Sequence, residues 1–305
     1  MKFKFIDVLS LFDVLNSMKR IIYFASGCTS NFVMTTFKTN LVNYINQDID
    51  VYASVRNSDS IESNILKASG IRMISTQDSL HDNFKPYRIL WFSSHSDPDL
   101  LALYAKKAPT LLISSGAIMN YYLNPDSDNV GGNLSDYAYG KFAMSKVPGV
   151  HIFVPGFLIE DIGFTQNNKS GLHSESTKII FGNDNGNAKT YLQTYCDYDW
   201  GRAYSVTPKS FLQTAIVRWI DDPDSMPIEQ PIIVCSDRVY RRYELRELAG
   251  YEMPRETGFT VRGLHLPMQD NKLYEHFYHI PDSVLIDADI KRACEMAREP
   301  FQSKL

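Results

Sequence analysis

Short apolar segments alternate with segments of helical spacing through the first half of the chain, and this alternation restricts the fold more than any other feature. The apolar segments, which we interpret as strands, are RIIYF (20–24), DVYASV (50–55), IRMIS (71–75), RILWFSS (88–94), TLLIS (110–114) and VHIFV (150–154). Strands that are apolar on both faces fit a parallel sheet covered by helices on each side. Right-handed crossovers make such a sheet doubly wound, so the pattern predicts an α/β fold of Rossmann type.

The segments between and after these strands supply the predicted helices. In the first half of the chain they are residues 32–45, 60–69, 99–107 and 137–145. Polar sequence rich in Gly and Asn interrupts the pattern after residue 160. The later predicted elements are the strands KIIFGN (178–183) and IIVCS (232–236) and the helices at 208–220 and 243–250.

Composition restricts the partners of the protein. A formal net charge of −4 over 305 residues gives no basic field for nucleic acid. No apolar run reaches the roughly 20 residues that cross a bilayer, so no membrane association is expected. The four cysteines form no CxxC pair, which predicts free thiols in a reducing, cytoplasmic setting. Residues 1–17 are not interpreted as a signal peptide, because Asp7 and Asp13 interrupt their apolar part. They are interpreted as an N-terminal extension, since Met18 resembles a natural start.

Four residues near the middle of the chain form a candidate catalytic set. Ser114 and Ser115 end the fifth predicted strand, and ligands of such sheets bind beyond the carboxyl ends of the strands. Tyr137 and Lys141 are four residues apart and share one helix face. A lysine at this spacing lowers a phenol's pKa by its positive charge, and a nearby serine can bind the carbonyl oxygen that the phenol protonates. The set therefore suits general acid/base catalysis of hydride transfer.

The order of these residues resembles the short-chain dehydrogenase/reductase superfamily, in its extended or atypical, NAD-dependent epimerase/dehydratase-like branch. The resemblance is carried by LLISSGA (111–117), YAYGK (137–141) and VPGF (154–157), and continues more weakly through 204–216 and 231–250. It implies a dinucleotide-binding domain over residues 18–155. It also implies a smaller substrate-binding region over residues 156–305, whose strands and helices return to the sheet.

The resemblance implies roles for individual residues. Tyr137 would be the acid/base, Lys141 its partner and ribose anchor, and Ser115 the catalytic serine, with Ser114 as the alternative. The implied cofactor-binding residues are Ser26, Gly27, Thr29, Ser30, Arg56, Ser93, Ser114, Tyr137, Lys141, Pro155 and Gly156. Pro155 and Gly156 match the turn that touches the nicotinamide.

Two segments depart from the family pattern. The turn after the first strand reads FASGCTSN and keeps at most one of the three glycines that let a backbone approach a pyrophosphate. The hydroxyls of Ser26, Thr29 and Ser30 and a helix N-terminus remain there for a phosphate. The second strand is followed by Arg56 and not by an acidic residue. An arginine suits a 2′-phosphate, so NADP is preferred over NAD as the cofactor.

Two functions stay open from the sequence. The first is an NAD(P)-dependent oxidoreductase, epimerase or dehydratase that acts on a carbonyl or hydroxyl of a small molecule. The resemblance implies a nucleotide sugar as the substrate class and is compatible with a homodimer. The second is a non-catalytic nucleotide-binding or regulatory protein on the same fold. The Ser–Tyr–Lys set favours the enzyme, and the missing glycines favour the binding protein.

Two further segments were considered as sites. RVYRRYELR (238–246) holds four arginines, which we interpret as the solvated start of a helix, with phosphate binding as the functional alternative. His276 and His279 would share a helix face, but further ligands at suitable spacing are missing nearby. No metal site is therefore predicted.

Overall fold

The computed structural model describes most of the sheet and the helices that cover it. The described residues are 20–25, 49–54, 59, 61–92, 97–118, 121–122, 135–159, 161, 203–236, 239–250, 278–279 and 287–302. The strands in these ranges are β1 (Arg20–Ala25), β2 (Ile49–Ser54), β3 (Arg72–Met73), β4 (Arg88–Trp91), β5 (Thr110–Ile113), β6 (Val150–Pro155), β7 (Phe157–Ile159), β8 (Ala203–Pro208), β9 (Pro231–Val234), β10 (Val239–Arg241) and β11 (Tyr278–His279).

The main sheet of the described chain has eight strands in the order β11-β9-β6-β5-β4-β1-β2-β3. Each neighbouring pair is parallel. The chain builds outward from β1 through β2 to β3, then returns to β4 on the other side of β1 and builds outward again. This is the Rossmann order, so the doubly wound α/β fold predicted from the sequence is confirmed.

Helices cover both faces of the sheet. They are α1 (Ile61–Ala68), α2 (Thr76–Leu80), α3 (Pro98–Ala105), α4 (Ser135–Ser145), α5 (Lys209–Asp221), α6 (Arg242–Leu248) and α7 (Asp287–Gln302). Local signals set two of their starts. Asp97 caps α3 by accepting the Leu100 N–H at 2.9 Å, and Ser75 caps α2 by accepting the Asp78 N–H at 3.0 Å.

The alternation of side chains along each strand produces two separate cores. In β1, Ile22 and Phe24 face the core that α1 and α5 cover. Tyr23 and Ala25 face the core that α3 and α4 cover. Both sets of side chains are almost fully removed from water, which stabilises the sheet by about 25 cal/mol per Å² of apolar area.

A second, three-stranded sheet lies in the later half of the chain, in the order β10-β8-β7. Strand β8 is parallel to β7 and antiparallel to β10. A third apolar cluster joins this sheet to α6 and α7; its buried members are Ile159, Val206, Tyr240, Leu245, Ala249, Ile290 and Cys294. Because β7 follows β6 after Gly156 alone, this sheet begins directly at the carboxyl edge of the main sheet.

The observed elements match most of the predicted ones. Strands β1, β2, β4, β5, β6 and β9 occur where they were predicted, whereas the predicted strand at 71–75 is reduced to β3. The predicted helix at 32–45 and strand at 178–183 lie outside the described residues. The small sheet, α2 and α7 were not predicted. The domain bounds at residues 17 and 155 stay a prediction, although β9 and β11 pair within the same main sheet as β1.

Two sequence-level expectations concern thiols and membranes. Cys235 and Cys294 are buried cysteines, while Cys28 and Cys196 lie outside the described residues. No helix within the described ranges is long and apolar enough to cross a bilayer.

Candidate functional site

The strand order reverses between β1 and β4, and this places a crevice at the carboxyl ends of the neighbouring strands. Ala25 ends β1 and pairs in register with Trp91, which ends β4. Strands β5 and β6 end beside them, at Ile113 and Pro155. Side chains that follow these four ends therefore form the candidate site.

Ser114 and Ser115 lie at this edge with unused hydroxyl groups. The Ser114 N–H continues the ladder by donating to the Phe153 carbonyl at 2.8 Å, and Ser114 is only 6% exposed. Within the described part of the chain, the Oγ atoms of both serines are buried and have no hydrogen-bond partner. A buried hydroxyl without a partner costs roughly 1–3 kcal/mol, so these two groups are candidates for contact with a ligand.

Helix α4 carries the predicted tyrosine and lysine. It packs against the 3₁₀ turn Gly116–Ile118 that follows the two serines. Lys141 is 5% exposed, and Met144 is buried in the core beneath the helix. Position 137 lies four residues before Lys141 and seven before Met144, on the same helix face. The side chain of Tyr137 lies outside what the structure describes, so its predicted role stays a prediction.

An aromatic brace supports the opposite face of α4. We give this name to Tyr121, Tyr122, Tyr139 and Phe142. The Tyr121 ring stacks on Phe142 at 4.9 Å, and the Tyr122 ring meets the edge of Phe142 at 5.3 Å. The Tyr122 hydroxyl lies 3.0 Å from the Ser145 Oγ, and the Lys146 ammonium sits 4.1 Å from the Tyr122 ring centre. The brace contacts the face of α4 that points away from position 137, so it orients the helix.

The turn after β6 is fixed by close packing against β8. A Cβ atom added to Gly156 would lie 2.3 Å from the Ser205 carbonyl oxygen, so only glycine fits there. The Gly156 N–H donates to Thr207 Oγ1 at 2.8 Å. Pro155 pairs in register with Val234 of β9. The predicted cofactor residues Pro155 and Gly156 thus lie at the carboxyl edge. The close approach of the Ser205 carbonyl requires a glycine at position 156 whether or not a cofactor binds there.

A buried hydroxyl cluster supports the end of β2. The Tyr23 hydroxyl lies 2.9 Å from both Ser54 Oγ and the Tyr104 hydroxyl, and Ser79 Oγ lies 2.5 Å from the Tyr104 hydroxyl. Burial raises the pKa of Tyr104 far above its ordinary value of 10.0, and the nearby Tyr23 adds to that rise. Tyr104 therefore stays neutral and acts as a structural hydrogen-bond partner.

Asp161 is a buried polar residue that the sequence analysis did not single out. Its carboxylate accepts the Ser210 N–H at 2.9 Å and a short hydrogen bond from the Ser210 hydroxyl. These contacts satisfy the N-terminus of α5, where Pro208 supplies no side-chain cap. Burial raises the pKa of Asp161, while the bonds from Ser210 oppose that rise. The signal was weak, because Asp161 is 49 residues from its partner in the sequence.

The remaining predicted cofactor residues lie outside the described part of the chain. They are Ser26, Gly27, Thr29, Ser30, Arg56 and Ser93. The structure therefore places Ser114, Ser115, Pro155 and Gly156 at the carboxyl ends of β5 and β6, and Lys141 on α4, which packs against the turn after the serines. The phosphate-binding turn stays a prediction. Among the described residues, no group of three or more His, Cys, Asp or Glu side chains could hold a metal ion.

The interpretation of residues 238–246 as a solvated helix start is wrong for Arg246. This residue lies in α6 and is only 4% exposed. Helix α6 packs on α7 and β10, so its inner face is covered, whereas Glu247 beside Arg246 stays exposed. The sequence did not reveal α7 or β10, the elements on which this helix packs, so the burial of Arg246 could not be predicted.

Solved structures with a similar fold include a nucleoside-diphosphate-sugar epimerase from Pseudomonas aeruginosa. Its TM-score is 0.53 at 11% sequence identity, over 92% of this chain and 98% of that one. The PbgP3 protein from Burkholderia pseudomallei gives a TM-score of 0.51 at 11% identity, over 94% of this chain and 98% of that one. No protein-family model matches the sequence, and comparison with the curated proteins finds no match. The likeness confirms, at the level of fold, the resemblance to epimerase/dehydratase-like proteins.

Proposed function

We propose that the protein is an NAD(P)-dependent enzyme of the epimerase, dehydratase or oxidoreductase type, and that it acts on a nucleotide sugar. The observation that carries the proposal is the pair of buried, unpartnered serine hydroxyls beside the helix that holds Lys141. They lie at the carboxyl edge of a doubly wound parallel sheet, where such folds bind dinucleotides. The substrate class rests on fold similarity to the Pseudomonas epimerase.

The proposed chemistry assigns one task to each side chain. A bound nicotinamide dinucleotide would accept or return the hydride. The positive charge of Lys141 stabilises Tyr137 as the phenolate, which takes the proton from a substrate hydroxyl and becomes the neutral phenol. Ser115 donates a hydrogen bond to the same substrate oxygen, with Ser114 as the alternative donor. Both hydroxyls suit this task because no described residue competes for them.

The cofactor preference is part of the proposal. Arg56 follows β2, whose end is held by the hydroxyl bond between Tyr23 and Ser54. An arginine at the end of the second strand favours the 2′-phosphate of NADP, with NAD as the alternative. A cytoplasmic location and a homodimer remain expectations that accompany this function.

A second function is favoured by one observation. The turn FASGCTSN keeps at most one of the three glycines of a dinucleotide-binding turn. A protein with this turn could bind a nucleotide weakly and regulate a partner without turnover. The unused serine hydroxyls favour the enzyme, because a binding protein that had lost turnover would gain stability by replacing them.

Incubation with a panel of nucleotide sugars tests the proposal. The protein is mixed with NADP⁺ or NAD⁺ and with uridine, guanosine and thymidine diphosphate sugars, and the products are followed by NMR. We expect conversion of at least one sugar by the wild type and none by Tyr137→Phe. Conversion that survives in Tyr137→Phe would contradict the assigned acid/base. Nucleotide binding without conversion of any sugar would support the regulatory protein.

A further inference from the structure

Thr207 of β8 lies at the carboxyl edge of the main sheet and hydrogen-bonds both to the turn after β6 and to β9. Its Oγ1 accepts the Gly156 N–H at 2.8 Å and donates to the Val234 carbonyl at 2.6 Å. Thr207 is completely buried, so water cannot replace either bond. One hydroxyl group therefore joins the turn after β6 to the end of β9.

We propose that Thr207 is a positioning residue that fixes the Pro155–Gly156 turn as the wall of the site beside the nicotinamide half of the dinucleotide. The inference rests on the function proposed above. In a doubly wound sheet the pyrophosphate lies at the turn after β1, and the ribose of the adenosine half is read at the end of β2. The other half of the dinucleotide must then extend across the ends of β4, β5 and β6, where Gly156 lies next to the serines.

The position of Gly156 depends on its hydrogen bond to Thr207. Gly156 has no side chain, and the Ser205 carbonyl approaches it too closely for one. The hydrogen bond from its N–H to Thr207 Oγ1 is a polar contact between this turn and β8. Removing the Thr207 hydroxyl would take this hydrogen-bond partner from both the Gly156 N–H and the Val234 carbonyl. The turn would then shift so that these groups could form other hydrogen bonds.

Ser236, two residues after the end of β9, offers a matched control. Its Oγ accepts the Val206 N–H at 2.9 Å, and its own N–H donates to the Val206 carbonyl at 2.7 Å. Ser236 is completely buried, like Thr207, and both of these bonds go to Val206. Ser236→Ala should therefore lower stability much as Thr207→Val does, without moving the turn.

The test compares two ligands by calorimetry: NADPH, and 2′-phospho-ADP-ribose, which lacks the nicotinamide. Thr207→Val should lower the affinity for NADPH about tenfold and leave the affinity for 2′-phospho-ADP-ribose unchanged. Ser236→Ala should leave both affinities unchanged, and urea unfolding of each variant measures the stability loss separately. A purely structural role of Thr207 would weaken both ligands equally, and that result would overturn the inference.

Thr207→Ser keeps the inference testable if Thr207→Val does not fold. The serine retains both hydrogen bonds and loses only a methyl group, so NADPH affinity should stay at the wild-type value while the urea midpoint falls. Loss of NADPH affinity in Thr207→Ser would show that the methyl group and not the hydroxyl matters, and would refute the positioning role. A wild type that binds neither ligand would refute the proposed function itself, which separates the two failures.

Discussion

The hydroxyl groups at the two ends of β5 differ in their hydrogen bonding. At the amino end, Thr110 is completely buried and its Oγ1 donates to the Ala108 carbonyl at 2.9 Å. At the carboxyl end, the Oγ atoms of Ser114 and Ser115 are buried without a hydrogen-bond partner among the described residues. Three residues lie between Thr110 and Ser114, so the contrast arises over the length of a single strand. The hydroxyl at the amino end makes a hydrogen bond within the fold, and those at the carboxyl end have no partner among the described residues, which makes them candidates for contact with a ligand.

The neighbouring strands extend this contrast along the amino edge. Arg88 begins β4, and its guanidinium donates to the Ile220 carbonyl at 3.0 Å and to the Tyr87 hydroxyl at 3.0 Å. His151, near the start of β6, lies 3.1 Å from the Pro227 carbonyl. The exception is Trp219, whose Nε1 has no partner in the described structure. The amino edge is therefore mainly a structural edge, which is the expected division in folds that bind ligands beyond the carboxyl ends.

The largest effect is expected at the carboxyl edge, from Tyr137→Phe. Loss of the phenol oxygen removes the proposed acid/base, so turnover should fall by about 10²- to 10⁴-fold while NADPH affinity stays nearly unchanged. Lys141→Ala should differ, because it removes both the charge that stabilises the phenolate and a proposed ribose contact. Steady-state rates and NADPH titrations of both variants check this. Equal loss of NADPH affinity in both variants would show that Tyr137 also contributes to binding.

At the amino edge, Arg88→Met should cost stability and leave ligand binding intact. The change removes three hydrogen bonds and a stacking contact at 3.8 Å from the Tyr87 ring centre. The free energy of unfolding should fall by about 2–4 kcal/mol in urea titrations. Arg72→Met is the control, since Arg72 pairs with Asp50 at 3.2 Å but its side chain is 55% exposed, and about 1 kcal/mol or less is expected. A large loss of NADPH affinity in folded Arg88→Met would contradict the conclusion that the amino edge is mainly structural.

The two ends of β5 can be compared directly with Thr110→Val and Ser115→Ala. Thr110→Val should lower the free energy of unfolding by about 1 kcal/mol, because the hydroxyl loses its bond to the Ala108 carbonyl. Ser115→Ala should leave that free energy unchanged or raise it by up to about 1 kcal/mol, since it removes a buried hydroxyl without a partner. The same variant should lower turnover. A clear loss of stability in Ser115→Ala would mean that its hydroxyl serves the fold.

The smallest effect is a pH dependence at His151. Burial lowers the pKa of His151 below its ordinary value of 6.5, and Arg88 acts in the same direction, while the Pro227 carbonyl and Asp224 oppose it. Below pH 6.5 the unfolded chain binds a proton that the folded protein does not yet bind, so the free energy of unfolding falls as pH decreases toward the folded pKa. Urea titrations between pH 7.5 and pH 5, in roughly half-unit steps, should show this slope in the wild type and a smaller one in His151→Gln. Identical slopes would exclude His151 as the source.

The division between predictable and unpredictable parts of the molecule follows the range of the interactions. Strands such as β5 were predictable because three consecutive apolar residues after Thr110 leave a parallel strand covered on both faces as the simplest fit. Helix α2 was missed although Ser75 and Asp78 give a local capping signal. Strand β8 was missed because its buried polar residues, Ser205 and Thr207, break the apolar pattern.

The partners of those polar residues could not be read from the sequence. The Thr207 hydroxyl bonds to Val234, 27 residues later, and Asp161 bonds to Ser210, 49 residues later. Sequence patterns resolve neighbours within a turn or two, and such distant pairs emerge only from the assembled fold. For the same reason Arg246 was placed in solvent, whereas it is buried in the folded protein.

Titration of the purified protein with NADPH and with NADH tests most directly whether the carboxyl edge holds a nicotinamide dinucleotide. Nicotinamide fluorescence reports the binding, and Arg56→Ala is titrated beside the wild type. We expect saturable binding of both cofactors, tighter for NADPH, with Arg56→Ala weakening NADPH more than NADH. Absence of binding by either cofactor at about millimolar concentration, where even weak sites of about −4 kcal/mol would fill, would contradict the account.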